Sequence, residues 1–135
     1  MNHKGEQATM LLSFQVKNNR SILDLIVPMT YAEKKAPNGY KQMELLPFLE
    51  EGEVRTIPCM AIYGANASGK SNIVKAFSAL VRIIGDRYNP KTVSPNKLHP
   101  LNDITSFTVE FLKEGRRFQY VLEVDRKEIV TEKLL

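Results

Sequence analysis

The stretch that most constrains this chain runs Cys59-Met60-Ala61-Ile62-Tyr63-Gly64-Ala65-Asn66-Ala67-Ser68-Gly69-Lys70-Ser71-Asn72, a short apolar run that empties into Gly-x-x-x-x-Gly-Lys-Ser. A glycine-bearing loop between a strand and a helix gathers backbone N–H groups and a helix N-terminus around one point, and that point is an anion site. From average residue usage, chance gives this spacing in about half a percent of chains of this length. The pattern is that of a phosphate-binding loop.

Each residue type in the loop has a reason to be there. Gly64 lets the chain leave the strand sharply, and Gly69 allows backbone to come close to phosphate. Lys70 is expected to extend its ammonium to β- and γ-phosphate oxygens, and Ser71 to place its hydroxyl on Mg²⁺. The blander alternative is a Gly-rich turn in which Lys70 and Ser71 merely open a solvated helix. An expected strand and helix on either side, as the motif demands, argue against it. No Asn-Lys-x-Asp signature of guanine recognition occurs, which favours ATP over GTP.

Around the loop the periodicities predict an α/β fold. Residues 11–16 alternate, with Leu12, Phe14 and Val16 on one face, and residues 21–29 resume after the turn signal Lys17-Asn18-Asn19-Arg20. This predicts an antiparallel hairpin. Residues 30–56 dissolve into charge and turn formers, including Pro37-Asn38-Gly39 and Glu50-Glu51-Gly52-Glu53, with a short strand near residues 43–46. Pro58 is tolerable at a strand start, so residues 59–63 are expected to form the buried strand that feeds the loop.

After the loop, Ile73, Phe77, Leu80 and Ile84 recur at helical spacing, and Val74 and Val81 widen the stripe. The spacing predicts a helix over 70–84, closed by Gly85, with this stripe packed on the sheet. Three prolines make residues 86–103 a surface loop or an ordered flap over the nucleotide. Alternation then returns in Phe107, Val109, Phe111 and in Phe118, Tyr120, Leu122, Val124, joined by Lys113-Glu114-Gly115-Arg116. With a run at 129–135 these predict a three-stranded meander. The last residues, Lys133-Leu134-Leu135, carry no cap or turn signal, so the chain reads as stopping inside an element.

Composition narrows the class. At 135 residues and 43% hydrophobic, one globular domain is expected, read as residues 11–135 after a loose leader at 1–10. The leader has no apolar h-region, and no run approaches the roughly 20 apolar residues that span a bilayer. A soluble, cytoplasmic protein is expected, with Cys59 as a core thiol. Net charge is +4, and residues 1–57 hold seven basic against seven acidic side chains, so the excess lies from residue 58 onward at twelve against eight. That asymmetry favours anionic ligands on the P-loop half. Nucleotide phosphate alone could satisfy it. Arg82, Arg87, Lys91 and Lys97 offer a nucleic-acid contact, or simply a solvated helix end and loop.

Beyond these patterns, two segments resemble a known family. Val16-Lys17-Asn18-Asn19-Arg20-Ser21 is similar to the Val-Lys-Asn-Phe-Arg-Ser-like turn, and Tyr63-Gly64-Ala65-Asn66-Ala67-Ser68-Gly69-Lys70-Ser71-Asn72 to the Tyr-Gly-x-Asn-Ala-Ser-Gly-Lys-Ser-Asn loop, of ABC/SMC/RecF-like ATPases. Within them the likeness is to bacterial AAA-family ATP-binding proteins of abortive-infection and phage-defence systems. The resemblance implies the N-terminal lobe of an ABC/SMC-like ATPase head, with a mixed sheet, a P-loop helix and an antiparallel meander. It implies ATP and Mg²⁺ held by residues 64–72, Arg20 as a phosphate contact and Asn66 on the γ-phosphate side. Asn19 stands where the family has Phe, which removes apolar anchoring from the turn.

The same resemblance implies hydrolysis in an intact head, with a homo-oligomer or the remaining lobe completing the site and a nuclease or other effector as partner. Hydrolysis in this class needs a Walker B strand ending in Asp-Glu, and no such run follows the loop. The segment Leu45-Leu46-Pro47-Phe48-Leu49-Glu50-Glu51 imitates it, but Pro47 interrupts it and it precedes the loop; Leu122-Glu123-Val124-Asp125 alternates as a half-exposed strand does. The Leu-Ser-x-Gly signature is also missing. No catalytic residue is therefore assigned, and the chain by itself is expected to bind nucleotide without efficient turnover. A non-catalytic module that docks on a longer ATPase through its open sheet edge is the alternative reading.

Overall fold

A computed structural model describes residues 9–30, 45–48, 52–57, 59–86, 88–89, 91–98 and 103–135. Most of the leader, the turn signals Pro37-Asn38-Gly39 and Glu50-Glu51, and Arg87 lie outside them. Five strands form one sheet: β1 (Met10–Asn19), β2 (Ile22–Pro28), β5 (Thr105–Lys113), β6 (Arg116–Val124) and β7 (Ile129–Leu134). Their order across the sheet is β2-β1-β5-β6-β7. A separate hairpin pairs β3 (Leu45–Phe48) with β4 (Gly52–Arg55). One helix, α1 (Lys70–Gly85), follows the P-loop.

The predicted hairpin and the meander are both present. The β5–β6 turn shows why it was readable: Glu114 (φ 52°) and Gly115 (φ 71°) are both left-handed, the two-residue geometry whose twist matches flanking strands. Its register sets Phe107 opposite Leu122 and Phe111 opposite Phe118, whose rings stack at 5.4 Å. Leu12, Phe14 and Val16 share the buried face of β1, as their alternation requires. The short strand expected near 43–46 is found two residues later, in β3.

Three expectations need correction. The sheet is not mixed: every strand pair among the described residues is antiparallel. The strand expected at 59–63 is not formed, and those residues are exposed. Pairing does start just before it, where Thr56 bridges Thr30 and the Ile57 N–H donates to the Met29 carbonyl at 2.8 Å, and then it stops. The next residue, Pro58, has no N–H to continue a ladder. An all-apolar strand also needs neighbours on both sides, and no described strand pairs with it.

The third correction concerns α1. It packs on the sheet through Ala76, Ala79, Leu80 and Ile83, against Phe14, Val16, Phe107, Leu122 and Val124. Of the stripe assigned to the core, Leu80 is buried and Ile73 packs against the core, but Val74, Val81 and Ile84 are 61%, 54% and 58% exposed. Phe77 is half out, with its ring edge-on to Phe14 at 5.2 Å. The helix is apolar on two sides, and the sheet takes the side whose two alanines permit the closest approach.

Loop 91–98 is ordered against the β1–β2 turn. Val93 and Asn96 are buried, and the Asn96 N–H donates to Asn18 Oδ1 at 2.9 Å. Nearby, the Tyr88 hydroxyl donates to the Asp125 carbonyl, and burial followed by the Asp125 charge pushes its pKa up.

Candidate functional site

The P-loop leaves residues 59–63 and enters α1 through two left-handed residues, Ala67 (φ 64°) and Gly69 (φ 93°). Gly69 is the helix N-cap, and no side chain caps the N-terminus there. Within the first turn the Asn72 N–H donates to the Gly69 carbonyl at 2.9 Å, no side chain caps the other N–H groups, and no acidic residue stands in that turn. Lys70, a cation at the positive end of the helix dipole, is unfavourable on its own and favourable once an anion is present.

The two glycines differ in what a side chain would meet. A Cβ on Gly64 would lie 3.0 Å from Ser68 Oγ, the end of an exposed side chain. Gly69 combines its positive φ with a neighbour, since a Cβ there would lie 3.5 Å from Ser21 Oγ. Any other residue at 69 would be strained by the backbone alone.

Lys70 is poised over the loop. Its Nζ donates to the carbonyls of Gly64 and Ala65, each at 2.6 Å. Both acceptors belong to the loop, so phosphate oxygens can replace them without any rearrangement of the core. The residues present thus fit a nucleotide phosphate: donors at the helix start, a cation folded over the loop, and a left-handed Gly69 where a side chain would be strained. Ser71, exposed in the first helical turn, is the hydroxyl available to a bound Mg²⁺. Asn66 and Ser68 lie on the exposed loop itself.

The structure brings together two segments that are 51 residues apart in sequence: Asn72 Nδ2 donates to Ser21 Oγ at 2.6 Å. Arg20, one residue before, is exposed with φ 53°, and its N–H donates to the Ser94 carbonyl at 2.6 Å. Asn19, standing where an apolar anchor was expected, is 1% exposed, and its Oδ1 accepts from the Ser94 N–H at 3.2 Å. The turn is anchored by hydrogen bonds in place of an aromatic ring. Sequence reasoning gave Ser21 no role; its signal was its place in the turn segment beside the P-loop segment.

Of the two segments that imitate Walker B, the described part of the first lies in a hairpin and the second ends in a turn. The segment at 45–48 pairs antiparallel with β4, Pro47 opposite Glu53. Asp125 is a turn former: its carboxylate accepts from the N–H groups of Glu128 (2.8 Å) and Lys127 (2.6 Å), which hold its pKa below the usual carboxylate value. No cluster of three His, Cys, Asp or Glu side chains suited to a metal occurs among the described residues. Cys59, expected in the core, is exposed because the strand that would bury it is not formed. It lines an apolar groove of about 280 Å³ with Met60, Ile62, Val74 and Phe77.

A family model described as "AAA domain, putative AbiEii toxin, Type IV TA system" matches residues 59–135, more than half of the chain and including the whole loop and helix. The chain belongs to this AAA-domain family. The family is of the abortive-infection type that the resemblance implied, and an AAA domain is a P-loop NTPase. Comparisons with curated proteins and with solved structures gave no match. Among the described residues no helix of this AAA-domain chain is long and apolar enough to cross a membrane.

Proposed function

We propose that the chain binds Mg-ATP through residues 64–72, as the nucleotide-binding lobe, residues 11–135, of an ABC/SMC-like ATPase in a bacterial antiviral defence system. The observation that carries this reading is Lys70 folded over the Gly64 and Ala65 carbonyls beside an uncapped helix N-terminus. Lys70 takes the β- and γ-phosphate oxygens, the loop and first-turn N–H groups cradle the phosphates, and Ser71 ligates Mg²⁺. Arg20 supplies a second cation from the adjoining turn. Bound Mg²⁺ would supply charge neutralisation at the phosphates.

The other parts of the site come from outside this lobe, either from a second copy or from a companion lobe. The exposed apolar side of α1 supports that expectation, since Val74, Val81 and Ile84 present a surface of the kind that interfaces cover. An effector such as a nuclease would then be controlled by closure of two heads on ATP. The same surface favours a second reading, a non-catalytic module that docks on a longer ATPase. Complex formation that ignores nucleotide would select it.

Calorimetry on the purified chain, with and without Mg²⁺, tests the first reading. Lys70→Ala removes most of the affinity, and Ser71→Ala removes chiefly its Mg²⁺-dependent part. Unchanged ATP binding in both variants overturns the assignment.

A further inference from the structure

We infer that the Ser21 hydroxyl is a positioning residue for the phosphate loop, a latch that holds the start of α1 to the β1–β2 turn and so preorganises the loop for nucleotide phosphate. The inference rests on the Mg-ATP reading for its functional half and on geometry alone for its structural half.

The turn that carries Ser21 is fixed from behind. Asn18 and Asn19 are 6% and 1% exposed although polar, and each has buried bonds that hold it. Asn18 Nδ2 donates to the Ile104 carbonyl at 2.9 Å, Thr105 Oγ1 donates to the Asn18 carbonyl at 2.8 Å, and the Asn96 N–H donates to Asn18 Oδ1. Asn19 and the Arg20 N–H grip Ser94 from both sides. Buried polar groups satisfied in this way specify one arrangement, because leaving any of them unpaired is costly.

Beyond the two Lys70 Nζ bonds to the Gly64 and Ala65 carbonyls, the loop has less to hold it. Residues 61–68 are exposed, and the backbone bond within the loop, from the Ser68 N–H to the Ala65 carbonyl, is long at 3.3 Å. Into this setting Ser21 Oγ brings the Asn72 amide at 2.6 Å and stands over the bare Cα of Gly69. Asn72 is in turn tied to Gly69, its N–H donating to the Gly69 carbonyl at 2.9 Å. One hydroxyl on a rigid turn thus fixes both the helix start and the left-handed residue that shapes the cradle. Ordering a loop before its ligand arrives lowers the entropy lost on binding.

The test uses the full chain with Ser21→Ala, Ser21→Thr and Asn72→Ala, read by Mg-ATP calorimetry and by amide hydrogen exchange of the ligand-free protein. Ser21→Ala is expected to speed exchange across residues 64–72 and to weaken Mg-ATP about fivefold, the worth of one neutral hydrogen bond, while exchange in β5 and β6 stays unchanged. Ser21→Thr, which keeps the hydroxyl, restores both, and Asn72→Ala speeds exchange over the same residues. Wild-type exchange and affinity in Ser21→Ala overturn the latch, as does a loss in Ser21→Thr equal to that in Ser21→Ala. Exchange raised equally across the whole sheet overturns it too, by making Ser21 merely structural. If the wild-type chain binds no Mg-ATP, the nucleotide reading falls, and the exchange of the ligand-free variants alone decides the latch.

Discussion

The two sides of α1 meet different fates. Toward the sheet, Ala76, Ala79, Leu80 and Ile83 close on strands whose backbones are laddered and whose inward side chains, Val16, Phe107, Leu122 and Val124, are fully buried. On the other side, Val74, Val81 and Ile84 are more than half exposed, and the apolar residues 59–63 next to the loop have no ladder. The same helix is the wall of a finished core and the edge of an apolar surface. Stability is therefore concentrated on one side and the proposed nucleotide site lies at the seam, which lets the two be perturbed separately.

The largest effect should come from the finished side. Phe107 has no exposed surface, sits opposite Leu122 and stacks near Phe14 at 6.4 Å. Phe107→Ala leaves a cavity under the helix and is expected to cost about 3–5 kcal/mol of unfolding free energy in a urea titration. A loss below about 1 kcal/mol would mean that this core is not the stability centre. Lys70→Ala should do the opposite. It weakens Mg-ATP by roughly a hundredfold, the worth of charge-assisted bonds to phosphate, and leaves the urea midpoint near wild type, because among the described residues Lys70 bonds to exposed loop carbonyls and to no core group.

Adjacent residues on α1 sharpen the contrast. Leu80 is 2% exposed and Val81 54%. Leu80→Ala is expected to cost about 2–5 kcal/mol, and Val81→Ala to stay within about 0.5 kcal/mol in the isolated chain. If Val81→Ala destabilised as much as Leu80→Ala, the outer side would already be covered, by a second copy or otherwise. Repeating the measurement over a range of protein concentrations distinguishes those cases.

What was legible in the sequence follows from where each signal is local. The hairpins were readable because period-two alternation and two-residue turns are settled within a dozen residues; Lys113-Glu114-Gly115-Arg116 needs no distant partner to turn. The existence and length of α1 were readable for the same reason. Which side of it would be buried was not, because the periodic reading weighs bulk, and the sheet chose Ala76 and Ala79 for close packing. Residues 59–63 failed differently: a strand exists only with partners, and apolar character alone does not supply them. The P-loop was legible in full as a motif, whereas its tie to Ser21 spans 51 residues and is a property of the folded turn.

The smallest effect lies toward the far end of the sheet and bounds the comparison, since Tyr120→Phe keeps the ring that packs against the core and removes the hydroxyl alone. Tyr120 donates its hydroxyl proton to Glu132 at 2.7 Å between β6 and β7, and burial, then that bond and the Glu132 charge, push its pKa up from 10.0 to about 12. The folded state thus holds the proton more tightly than the unfolded chain, so the contribution is complete below pH 10 and is lost as pH rises toward 12. Tyr120→Phe should remove that part of the alkaline decline in a thermal-melting series taken from pH 9 upward, with no change in Mg-ATP affinity at neutral pH. An identical alkaline slope in Tyr120→Phe would show that the Glu132 contact is not held in solution, and that β7 is less firmly joined to the sheet than β5 and β6.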